Sequence, residues 1–168
     1  MVNIGRCLTL LQRLPVTATF EPRREIMLAL IPLTIEVGNV SAAKILIAGL
    51  ANQGKQLHDP IATVMAMSYE VEMMLDEGRT GESFEIIEQA LSIAEKIPDK
   101  RVRNQVHSVA GELYSKVGNF QIALQHELSA LESLSDNQGK QSDLNRARAL
   151  NNISKLYLRF KDPKAGLE

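Results

Sequence analysis

The sequence predicts an all-α protein built from stacked antiparallel helix pairs, and three observations predict it. Gly38, Gly78 and Gly118 stand 40 residues apart, each closing a stretch whose apolar residues recur at helical spacing. Gly38-Asn39-Val40 and Gly118-Asn119-Phe120 repeat the same turn chemistry, a left-handed glycine followed by a helix-capping asparagine. The composition is 45% hydrophobic with only 4% aromatic residues and no Trp, so the core is aliphatic. Straight-chain aliphatic side chains lose little rotamer freedom in a helix, which favours helices over sheets.

The elements follow in order. Ile4, Cys7, Leu8, Leu11 and Leu14 recur at three- and four-residue steps, which predicts an amphipathic helix over 2–14 that Pro15 stops. Glu21-Pro22 opens the next helix, with proline at home in a first turn, and Gly38 ends it. Pro32 lies inside that helix, where a missing N–H and a clash with the preceding turn predict a kink. Asn39 caps a helix from Val40 to about Lys55, completing a first unit over 22–57. The second unit, 58–98, opens with Asp59 as cap and Pro60 in the first turn, and that helix runs to Glu77. Thr80 is expected to cap its partner, which reaches Ile97 before Pro98. A third unit, 99–138, pairs a helix over 101–117 with one over 120–134. The polar stretch Ser135 to Ser142 reads as a loop and a soft point, followed by a partial fourth unit, 143–168, whose first helix starts near Leu144.

Length and composition fit one domain over 1–168. The net charge of -1 argues against nucleic-acid binding by the whole surface, which needs a basic excess. The charge is uneven: +2 over residues 1–60, -6 over 61–100 and +3 over 101–168. A single cysteine, Cys7, excludes an internal disulfide and leaves the compartment open between cytoplasm and periplasm. No run approaches the length of a membrane span, and Arg6 and Arg13 bracket a segment unlike a signal peptide. No HExxH, CxxC, Walker loop or GxSxG occurs. The expectation is a non-catalytic chain without cofactor or metal.

Gly111, Tyr114, Gly118, Phe120, Ala123 and Ala130 match the spacing of the tetratricopeptide repeat. Asn151, Tyr157, Asp162 and Pro163 resemble the start of another copy, with Gly166 where that pattern has Ala. The second unit keeps Gly78, Phe84, Ala90 and Ala94 but has Met74 in place of the tyrosine, and the first keeps Gly38 and Ala43. The chain thus resembles a tetratricopeptide-like right-handed superhelical solenoid of about 3.5 repeats plus an N-terminal helix. Its 40-residue period is similar to the longer repeats of bacterial regulatory proteins. Leu28 to Leu33, Ala90 to Lys96 and Ala149 to Ile153 resemble repeat domains that precede diguanylate cyclase or histidine kinase modules. The resemblance implies a protein- or peptide-binding input module; a constitutive scaffold without switching is the alternative.

Stacked repeats form an extended concave surface lined by their first helices. The family spacing maps Met65, Ser68, Glu72 and Leu75 to it from unit two, and Gln105, Ser108, Glu112 and Ser115 from unit three. Unit four contributes Arg148, Asn151, Asn152, Lys155 and Arg159. Arg148, Asn152, Lys155 and Arg159 recur at three- and four-residue steps on one helix face. Guanidinium and amide donors so placed suit a peptide carboxylate or phosphate, although a solvated face has the same pattern. The carboxylate clamp of some family members is disfavoured, because Ser68, Glu72, Ser108 and Glu112 stand where it needs Lys and Asn. Met67 and Met74 are assigned to the core and Met65 to the groove. Leu144, Leu150, Ile153, Leu156 and Tyr157 are expected to have only Pro163 to Glu168 as intrachain cover, the remainder to be met by a continuing chain or by a second copy in a homodimer.

Overall fold

A computed structural model describes residues 20–134 and 140–161, together with Thr9. Among the described residues there are seven helices and no strand. They are α1 (Phe20–Glu36), α2 (Val40–Leu57), α3 (Pro60–Asp76), α4 (Thr80–Ala94), α5 (Lys100–Lys116), α6 (Phe120–Glu132) and α7 (Lys140–Lys161). Apart from Thr9, the expected helix over 2–14 lies outside the described residues, as do residues 135–139 of the expected loop and residues 162–168.

The glycine period is reproduced in three dimensions. Gly38, Gly78 and Gly118 have φ of 72°, 76° and 81°, a left-handed conformation that costs residues with a Cβ about 1–2 kcal/mol. Each glycine N–H reaches back to a carbonyl of the last turn, in Ile35, Leu75 and Ser115. The next N–H bonds one residue deeper, to Thr34, Met74 and Tyr114, at 2.8, 2.8 and 2.9 Å. This pair of bonds satisfies carbonyls that the helix end would leave bare.

The caps differ where the sequence differs. Asn39 and Asn119 accept from Ala42 N and Ile122 N through their side chains. Thr80 does not cap α4. It is the first helical residue, and Arg79 holds the cap position without a side-chain cap bond. An arginine cannot accept the orphan N–H groups; its guanidinium instead joins Glu77 at 3.1 Å and Glu82 at 2.6 Å. Asp59 caps α3 through Ile61 N and Ala62 N, and Asp99 caps α5 through Arg101 N. Between α2 and α3 the left-handed position falls to His58, at φ 51°.

Several boundaries move. α4 ends at Ala94 rather than Ile97, and α6 at Glu132 rather than Leu134. α7 begins at Lys140, so residues 140–142 of the expected loop are helical. α1 runs on through Pro32, whose ring is exposed.

Each helix packs on the next, and the alternate pairs α1–α3 and α3–α5 also touch. The core is aliphatic: Ile31, Leu50, Val64, Val71, Ile87, Val102, Val106 and Leu113 are almost wholly buried. Arg24 of α1 ties this stack together, pairing at 2.6 Å with the capping carboxylate Asp59. Glu25 beside it bonds both Arg24 and Arg101, and Arg101 returns to Asp99, so the caps of α3 and α5 share one ion network. α7 docks on α6, with Ala149, Ile153 and Leu156 buried, and reaches α5 through hydrogen bonds from Asn145 to Asn104 and from Arg159 to Ser115.

Candidate functional site

The face of α3, α5 and α7 carries most of the candidate residues. In α3 it is narrower than the sequence spacing implies. Met65 is 7% exposed, Ser68 is fully buried and bonds Val64 O at 2.9 Å, and Leu75 is also in the core. These three are therefore not groove residues. The reason is packing: α3 touches α1, α2, α4 and α5, and this crowding covers positions that a lone helix pair would leave open. Met67, assigned to the core, is only partly buried against it, whereas Met74 is buried as expected.

Glu72 remains at the face, half-buried, accepting from Gln105 Nε2 of α5 at 3.4 Å. Burial pushes its carboxyl up to about 6, Glu112 adds repulsion, and the charge of Arg148 works the other way. Ser108 and Glu112 are half-buried on α5, and Glu112 pairs with Lys116 at 3.4 Å. Lys116 also donates to Leu75 O at 3.0 Å, a bond that crosses from α5 to α3.

On α7 the predicted face divides in two. Arg148, Asn151 and Lys155 are exposed. Asn152 turns inward, its Nδ2 donating to Glu127 Oε1 of α6 at 2.8 Å. Arg159 lies over the Phe120 ring at 5.4 Å and donates to Ser115 Oγ at 3.2 Å. Arg148 has no hydrogen bond or ion pair among the described residues, yet its charge acts on Tyr69, Glu72 and Glu127. From α7 its charge thus reaches groups on both α3 and α6.

Two features escape the sequence motifs. The first is Glu127, only 1% exposed, in a position equivalent by the 40-residue period to Ile47 and Ile87. The period alone reveals it, because a carboxylate falls where the preceding units place isoleucine. The second is a pair of imidazoles. His107 of α5 and His126 of α6 bring their Nδ1 atoms to 3.0 Å, so one proton lies between two nitrogens. Burial lowers both histidines, His107 to about 4, which keeps the pair neutral. Tyr114 stacks on His126 at 5.5 Å and donates its hydroxyl to Glu88 at 2.9 Å.

The expected bare face of α7 is half right. Leu144, Leu150 and Tyr157 are exposed, but Ile153 and Leu156 are covered from within the chain. An open groove of about 510 Å³ lies beside it, lined by Leu128, Leu131, Glu132, Arg146 and Leu150, none of them a predicted site residue. No three His, Cys, Asp or Glu side chains are grouped to hold a metal ion among the described residues. No helix among them is long and apolar enough to cross a membrane. No protein-family model matches this chain, and no curated protein matches it either.

Proposed function

We propose that the chain is a non-catalytic, tetratricopeptide-like repeat module that binds a protein or peptide along the face of α3, α5 and α7. On this reading the helix pairs stack as a right-handed solenoid. The observation that carries the reading is the three-fold recurrence, at 40-residue spacing, of one turn geometry closing successive helices. Consecutive packing of the helices, with α1 on α3 and α3 on α5, agrees with it. Repeats in contact only with their neighbours turn small changes at each joint into a change of curvature along the array. That property suits an input module of a bacterial signalling protein, binding being transmitted to an output domain. A constitutive scaffold would use the same face without transmission.

The exposed cations Arg148 and Lys155 are the groups on which binding is expected to depend, and their partner is an acidic peptide segment. A peptide-array screen of wild type against R148E and K155E tests this. Loss of most bound peptides in both variants is the expected result. An unchanged set of bound peptides in both removes this face from the function.

A further inference from the structure

Glu127 occupies a core position built for an apolar side chain. In the two preceding units Ile47 and Ile87 hold it, and Ile31 and Val71 stand where the third unit has Gly111. The glycine makes the acid possible. A Cβ at 111 would lie 3.0 Å from both Cγ and Oε1 of Glu127. Of the two carboxyl oxygens, Oε1 accepts from Asn152, whereas Oε2 is buried with no hydrogen-bond partner. A buried carboxylate is costly unless paired, so the bare oxygen needs either a proton or a cation.

The charges that reach Glu127 come from the two helices packed on α6. From α5 it is Glu112, which repels and is itself held by Lys116. From α7 it is Arg148, exposed and without an ion pair among the described residues. Ionisation of Glu127 therefore creates a demand that Arg148 alone of these can meet.

We infer that Glu127 is a proton-operated latch on the binding face: neutral, it leaves Arg148 facing outward, and ionised, it draws the Arg148 guanidinium onto its free Oε2. This rests on the reading of that face as the binding surface. The step releases one proton and converts a neutral acid beside a free cation into an ion pair. Withdrawal of Arg148 removes a cation from the face, so an acidic peptide held by Arg148 binds with uptake of a proton. The coupling is reciprocal, and such a peptide binds more weakly as pH rises. Burial pushes the Glu127 carboxyl up to about 7, with Glu112 raising it and Asn152 and Arg148 opposing, which puts the exchange near neutrality.

The test uses the full chain without ligand, following the Glu127 carboxyl carbon and the Arg148 Nε–Hε group by NMR from about pH 5 to about pH 9. Both signals are expected to move with one midpoint near 7. In E127Q, which keeps the shape and an oxygen for Asn152, the Arg148 signal loses its step near 7 and keeps at most the one near 6 that Glu72 imposes. In R148Q, with the opposing cation gone, the Glu127 midpoint rises by about one unit. An Arg148 signal that ignores Glu127, or an unmoved midpoint in R148Q, overturns the latch. Because no ligand is present, an empty peptide screen with the shared midpoint intact removes the binding function and leaves the latch. A flat titration removes the latch whatever the screen finds.

Discussion

Glu127→Gln offers the clearest test of how this core is built. In the folded protein the Glu127 carboxyl titrates near 7, against an ordinary glutamate value of 4.5. The folded state holds the proton more tightly than the unfolded chain does. The stabilisation is therefore complete below pH 4.5 and is lost as pH rises through 7. A difference of 2.5 units (7 minus 4.5) corresponds to at most about 3 kcal/mol. His107 works in the opposite sense. Its value falls from 6.5 to about 4, so its contribution is present above 6.5 and lost as pH drops toward 4. In wild type the two trends oppose each other between about pH 4.5 and 7, with Glu72 adding to the first and His126 to the second, and these are common to wild type and E127Q. E127Q removes only the Glu127 contribution. Its stability in urea unfolding is expected to climb with pH across that window, and the gap to wild type should shift by about 2–3 kcal/mol in favour of E127Q. Two curves that stay parallel within about 0.5 kcal/mol would refute a buried, proton-holding Glu127.

The contact between Gly111 and Glu127 gives a second prediction, because the second unit solves the same packing problem with Val71 and Ile87. G111V alone drives a side chain into a held carboxylate and should destabilise by about 1–3 kcal/mol, whereas G111V combined with E127I rebuilds an apolar pair and should recover that loss. A double-mutant cycle measures the coupling, and additivity within about 0.5 kcal/mol would show that the two residues do not touch. His58 carries a left-handed φ of 51° where the other turns use glycine. His58→Gly is expected to raise stability by about 1 kcal/mol in thermal or urea unfolding, and a loss of stability would mean that the imidazole makes a contact worth more than the strain.

The helices and their turns were legible in the sequence because their causes are local. A left-handed glycine bonds carbonyls within the preceding turn, and Asn39, Asn119 and Asp59 cap N–H groups two or three residues ahead. Thr80 misled for an equally local reason: the register that puts asparagine after Gly38 and Gly118 puts Arg79 after Gly78, and an arginine answers carboxylates instead of N–H groups. The site was legible only in outline. Spacing placed Arg148, Asn152, Lys155 and Arg159 on one helix face, but not which of them faces solvent, since Asn152 is claimed by Glu127 and Arg159 by Ser115 and Phe120.

By itself the sequence determined that this chain is helical, where most of its helices turn, and that the turns recur every 40 residues, because all of this is set within a few residues of backbone. Tertiary structure decided which faces stay open. Met65, Ser68 and Leu75 sit at groove spacing yet are buried, because α3 has four neighbours. The period marks position 127 as core, but only the structure shows how a carboxylate is held there, with Gly111 of α5 and Asn152 of α7 closing over it. Burial depends on how many elements converge on a residue, and that number is a property of the assembled stack rather than of any one helix's period.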